Sequence, residues 1–162
     1  MLDLKLLDRD LVMLNIEADT QKEALEKLAQ RLCEKGYVKD TYAQAILERE
    51  KVFPTGLPTE GHGVAIPHTD VEHVNKPAIA LGILQKPIKF NLMGDVDPNN
   101  QVDVRILFML AIKEPHMQLK LLQDIMEIIQ DGVLLEKMVQ AKSVDELVEA
   151  TEQYAREKEG VA

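Results

Sequence analysis

The residue types able to do chemistry in this chain of 162 residues are few, and its four histidines stand out: His62, His68 and His73 fall close together, with His116 further on. An imidazole can ligate a metal, move a proton or act as a nucleophile, and the spacing bears on each role. The run H-x5-H-x4-H, interrupted by Gly63 and Pro67, matches no common zinc pattern such as H-E-x-x-H, and the lone Cys33 offers no thiolate pair, so no metal is expected. Serine hydrolysis lacks its G-x-S-x-G elbow, because the single serine, Ser143, stands where a helix cap is needed. A nucleotide would want a Walker loop or another glycine-rich cradle, and neither is present. Histidine as a nucleophile in its own right is what remains.

Context separates the three clustered histidines. His73, in Glu72-His73-Val74-Asn75, reads as part of a solvated loop, and His62, between Gly61 and Gly63, either lines a site or has no direct role. His68 follows the apolar run Val64-Ala65-Ile66 and then Pro67, which fixes the local backbone. A stiff segment therefore presents this imidazole at the rim of a sheet.

These residues carry a resemblance. Gly63-Val64-Ala65-Ile66-Pro67-His68, preceded by Arg49-Glu50 and Thr55-Gly56, resembles the phosphorylation-site signature of the fructose-mannitol class of enzyme IIA in the bacterial phosphoenolpyruvate-dependent sugar phosphotransferase system, and the similarity extends over roughly residues 5 to 155. Gln118-Leu119-Lys120-Leu121-Leu122 resembles a second family motif, and His68-Thr69-Asp70 together with Gln118 is most similar to the galactitol-type branch. In many mannitol-type and fructose-type members the position of Gln118 holds a second histidine. The resemblance implies that His68 accepts a phosphoryl group from the phosphocarrier protein HPr and passes it to a cognate enzyme IIB, itself linked to a membrane-embedded enzyme IIC. Uptake of galactitol or a related sugar or polyol would follow, with no cofactor. Nitrogen-type enzyme IIA proteins and regulatory domains share the signature, so a signalling module is the alternative.

Imidazole suits such a relay, since a pKa near 6.5 leaves a lone pair available at neutral pH. Arg49 is the candidate guanidinium fork for the three equatorial oxygens of a loose transition state. Thr55 either adds a hydroxyl donor or is a plain turn residue. Gln118 either touches the phosphoryl group from the first turn of a helix or is solvated. His116 could substitute for the family's second histidine only if Glu114-Pro115-His116 belongs to a loop, because helical residues two apart differ by about 200° around the axis. Asp70 is one candidate for holding the second ring nitrogen of His68. Phe53, Pro54, Leu57 and Pro58 either form an apolar docking rim or pack their loop onto the domain.

The elements that must position these groups can be read from periodicity. Leu11–Ile16 reads as a strand, and Asp19-Thr20 with Glu23 as the capping box of a helix carrying Ala24, Leu25, Leu28, Ala29 and Leu32 inward before Gly36 ends it. A second helix, capped by Asp40 and Thr41, carries Tyr42, Ala45 and Ile46 inward and stops near Phe53-Pro54, with Arg49 close to its end. Residues 54–67 read as a loop feeding an edge strand at Val64–Ile66. Ala78–Leu84 and Val102–Ile112 are further strands, the second apolar enough to be central. Pro115 opens a helix whose stripe of Leu119, Leu122, Ile125, Met126 and Ile129 should face the core. A short helix over Val133–Gln140 and a last one capped at Ser143 complete the chain. The sum is an α/β fold, one domain over residues 1–162 with a mixed sheet flanked by helices, and residues 156–162 as a frayed tail.

Composition narrows the function classes. A net charge of −9 argues against a phosphate-backbone partner and hence against nucleic acid. No apolar run approaches the roughly 20 residues that span a bilayer, so direct membrane insertion is not expected. One cysteine and an amino terminus without signal-peptide character fit the cytoplasm. Aromatic residues are only 4% of the chain, so the core must be built from aliphatic side chains.

Overall fold

The computed structural model describes residues 6–160. Thr20 opens helix α1 (Gln21–Glu34) by accepting the Glu23 N–H at 3.2 Å, the cap its spacing predicts. Ser143 does the same for α5 (Val144–Gly160), taking the Glu146 N–H at 3.1 Å, and Asp131 caps α4 (Gly132–Gln140) through the Leu134 N–H. Helix α2 (Tyr42–Val52) starts after Thr41, whose hydroxyl bonds to the His73 ring instead of capping the helix. Helix α3 (Pro115–Ile128) places Pro115 in its first turn, where the missing N–H would lack a helical partner anyway.

Five strands form one mixed sheet: β1 (Leu7–Ile16), β2 (Gly56–Leu57), β3 (Gly63–Ala65), β4 (Ala78–Asn91) and β5 (Gln101–Ala111), in spatial order β1-β4-β5-β3-β2. The β1–β4 and β3–β5 pairs are parallel, whereas β4–β5 and β2–β3 are antiparallel. As its apolar run predicts, β5 is the central strand. It alternates Leu107, Met109 and Ala111 toward α1 and α2 with Ile106, Phe108 and Leu110 toward α3–α5, so both faces of the sheet carry a core. Leu25, Leu28, Leu32, Tyr42 and Ile46 close the first, and Leu121, Ile125, Leu134, Leu135 and Leu147 the second. Tyr42, fully buried, donates its hydroxyl to the Leu110 carbonyl at 2.6 Å and ties α2 to the central strand.

Three further expectations change. The Val64–Ile66 segment is not at the edge, because the two-residue β2 covers its outer side. Strand β4 runs past Leu84 to Asn91; Pro87 is tolerated because it lies in a bulge where the β4–β5 register shifts between Ile83 and Ile88. On α3 the buried face is Leu121, Ile125 and Ile128, while Leu119 is 65% exposed and Met126 faces solvent. Residues 156–160 belong to α5, and 161–162 lie outside the described residues.

The motif glycine Gly63 owes its identity to this packing. A Cβ there would sit 2.0 Å from the Asp103 carbonyl oxygen, so only glycine lets β3 approach β5 at this point. Close pairing continues past the strand, with the Leu110 N–H donating to the Pro67 carbonyl at 2.9 Å and a bridge between His68 and Leu110.

Candidate active site

His68 stands two residues beyond the fully buried Ile66, where the β3 segment runs off along β5. Only 9% of its surface is exposed. The ring is bound at both nitrogens: Nδ1 lies 2.8 Å from the Ile66 carbonyl oxygen, and Nε2 lies 3.4 Å from the Gln118 side-chain nitrogen. A carbonyl oxygen only accepts, so Nδ1 carries the proton and Nε2 keeps its lone pair directed at the Gln118 amide. The orienting group is therefore the Ile66 backbone and not Asp70, which faces Arg49 at 3.6 Å.

Burial lowers the pKa of His68 below its ordinary value of 6.5, and the nearby Arg49 charge lowers it further; the Ile66 carbonyl and Asp70 act in the opposite direction. The ring is thus neutral at physiological pH, with its unprotonated nitrogen facing the Gln118 amide. Such a group can attack phosphorus without first losing a proton.

Arg49 reaches the site from the last turn of α2, with its guanidinium over the Phe53 ring at 5.1 Å. Phe53 is itself 59% exposed, while Leu57 is half-buried against the second core. Thr55 is buried, its hydroxyl bonded to the Glu50 carboxyl and to the Ile66 N–H, each at 3.0 Å. The condition attached to His116 is not met. It lies in the first turn of α3, 79% exposed at its side chain and paired with Glu114 at 3.0 Å, while Gln118, two residues on, turns to His68.

The other histidines are held elsewhere, His62 by Glu136 at 2.7 Å and His73 by Thr41 at 2.8 Å. Among the described residues no three His, Cys, Asp or Glu side chains converge to hold a metal ion, and no helix is long and apolar enough to cross a membrane. Sequence reasoning named Glu50 only as a neighbour of Arg49 in the motif and gave it no role. Its place five residues before Thr55 gives no sign that α2 turns it inward.

Residues 5–154 match the family model described as "Phosphoenolpyruvate-dependent sugar phosphotransferase system, EIIA 2". The chain is 33% identical to the galactitol-specific EIIA component of Escherichia coli strain K12 over 119 residues, covering 74% of this chain and 77% of that protein. It is also 33% identical to the mannitol-specific enzyme IIA component of Staphylococcus aureus over 150 residues, covering 92% and 96%. Among solved structures, the complex of mannitol enzyme IIA with phosphorylated enzyme IIB from Escherichia coli superposes with a TM-score of 0.69 at 27% identity, covering 87% of this chain and 93% of that one. The chain therefore belongs to the type 2 EIIA family of the phosphoenolpyruvate-dependent sugar phosphotransferase system, whose members are phosphotransferases that act as phosphoryl carriers.

Proposed function

We propose that His68 is the residue that carries the phosphoryl group, taking it from phosphorylated HPr and surrendering it to a cognate enzyme IIB for uptake of galactitol or a related sugar or polyol in the cytoplasm. One observation carries this reading: the Ile66 carbonyl holds the proton on Nδ1, so that Nε2 is left as the nucleophile beside Gln118. Nε2 attacks phosphorus, the P–N bond to the donor histidine breaks, and a P–N bond to His68 forms while the Nδ1 proton stays where it is. The second transfer reverses these roles, with His68 as the leaving group. Arg49 neutralises charge on the equatorial oxygens, and the Gln118 amide donates to one of them. Thr55 acts from behind, through its bond to the Ile66 N–H.

Several features support a protein partner. The exposed Val52 and Phe53 follow Arg49 at the end of α2, and the exposed Leu119 follows Gln118, so apolar side chains flank the reacting group on two elements. The groove between the Glu60-Gly61 loop and α3–α5 is lined by none of His68, Arg49 and Gln118. The solved complex of a relative with phosphorylated enzyme IIB supports enzyme IIB as the acceptor here, and similarity to a galactitol-specific relative supports the substrate class.

Incubation with phosphorylated HPr should put an acid-labile, base-stable label on the wild-type protein and none on His68→Ala. Addition of a galactitol-type enzyme IIB should then discharge it. A label that persists in the alanine variant would remove His68 from the mechanism, and a label that no enzyme IIB discharges would favour a signalling role.

A further inference from the structure

Next to Arg49 lies a carboxyl group that the transfer step does not use. Glu50 is 4% exposed, and it accepts the Thr55 backbone N–H at 2.7 Å and the Thr55 hydroxyl at 3.0 Å on each oxygen. That hydroxyl accepts the Ile66 N–H at 3.0 Å, and the Ile66 carbonyl accepts from His68 Nδ1 at 2.8 Å. A continuous chain of hydrogen bonds and one residue of backbone thus links the buried carboxyl to the imidazole.

The arrangement is more elaborate than folding requires. The β2–β3 ladder pairs Leu57 with Val64 and Gly56 with Ala65, and stops there. The next amide, that of Ile66, is met by a side-chain hydroxyl. A backbone acceptor would satisfy it without burying an acid, and burial pushes the Glu50 pKa up to about 7. Groups held at such a cost concentrate where the geometry of a reacting atom matters.

We propose that Glu50 and Thr55 are positioning residues for His68: the carboxyl fixes the Thr55 hydroxyl, the hydroxyl pins the Ile66 amide, and the Ile66 carbonyl thereby keeps the ring proton on Nδ1. Ile66 is then clamped on both sides, by Thr55 on its amide and by Pro67, whose carbonyl accepts the Leu110 N–H, on the other. Free imidazole side chains in water favour the opposite tautomer, with the proton on Nε2. Releasing the Ile66 clamp would place a proton on the nitrogen that must attack. The consequence for catalysis rests on the reading of His68 as the phosphoryl acceptor; the tautomer itself does not.

The test uses 15N NMR of the His68 ring at pH 8 with no donor present, on the wild type and on Thr55→Val, Thr55→Ala, Thr55→Ser and Glu50→Ala. Wild type and Thr55→Ser should hold the proton on Nδ1, whereas the other three shift toward Nε2. Uptake of label from phosphorylated HPr should fall on the order of tenfold in kcat for those three, with KM for the donor unchanged, the scale usual for removing a group that orients a reactive side chain. Alanine keeps the test open if the valine side chain prevents folding. Three results would overturn the proposal: an Nε2–H tautomer in the wild type, a wild-type tautomer and rate in folded Thr55→Val or Thr55→Ala, or failure of Thr55→Ser to restore both. An Nδ1–H ring that takes no label would instead refute the assignment of His68 as acceptor and leave the positioning of the ring intact.

Discussion

Replacing Glu50 with Gln should make the protein more stable than wild type at alkaline pH and erase that advantage in acid. The carboxyl is buried, and its pKa rises from 4.5 to about 7 because burial disfavours the charged form more than the two Thr55 donors favour it. Between those values the folded protein binds more protons at this position than the unfolded chain, so stability falls as pH rises. Its contribution is fully present below 4.5 and is lost as pH passes through about 7. The gap of about 2.5 between the two values, at about 1.4 kcal/mol per unit, amounts to about 3 kcal/mol. Glutamine has no proton to lose, and its amide can still accept the Thr55 N–H and donate to the Thr55 hydroxyl. Urea unfolding of both proteins at intervals from pH 4.5 to 8.5 gives the stability difference at each pH. His68, whose lowered pKa gives the opposite slope, cancels because glutamine keeps the Thr55 contacts through which residue 50 is linked to the ring. A difference that moves about 3 kcal/mol in favour of Gln across that range is expected; a flat difference would refute the account of Glu50 as a buried acid.

Gly63→Ala should destabilise the fold by about 2 kcal/mol or more in the same assay, because its Cβ would meet the Asp103 backbone and not a side chain that can swing away. Leu121→Ala should lose about 2–5 kcal/mol and Leu119→Ala less than about 0.5, since only the first is buried; equal losses would restore the sequence-based face of α3. Tyr42→Phe, which removes a buried hydroxyl bonded to the Leu110 carbonyl, should lower stability by about 1–2 kcal/mol with the helix content unchanged by circular dichroism.

What the sequence made legible followed from local rules. Thr20 and Ser143 cap their helices because capping needs only neighbours in the chain. The length and apolarity of residues 102–112 placed them at the centre of the sheet, and His68 after Ile66-Pro67 could be singled out by the stiffness of what precedes it. Features set by tertiary pairing were not legible. Two residues of β2 are too few to leave a period-2 signal, so β3 read as an edge. Helix α3 is apolar on more than one side, and Leu119 and Leu121, about 200° apart, support two different stripes; packing against the sheet chooses the second. The ring of His68 is oriented by a backbone carbonyl, a group every residue carries and no composition reveals. Glu50, between Arg49 and Lys51, reads as part of a charged helix end, and only the turn back through Thr55 buries it.

The identity of residue 118 bears on how phosphoryl uptake depends on pH. Attack needs a neutral His68, whose pKa lies below 6.5 chiefly through burial, with Arg49 adding to the effect and the Ile66 carbonyl and Asp70 opposing it. The amide of Gln118, the group facing Nε2, does not titrate. Glu50, which titrates at about 7, still has a carboxyl oxygen to accept from Thr55 when protonated, so the acid limb should lose activity with the slope of a single proton, at the midpoint measured for the His68 ring by NMR and below 6.5. Gln118→His would set a second imidazole against the first. Its protonation would depress the His68 pKa further by like-charge repulsion, and the acid limb should steepen toward two protons. A wild-type midpoint at or above 6.5, in either the ring titration or the rate of label uptake, would contradict the burial and contacts that place Nε2 where it can attack.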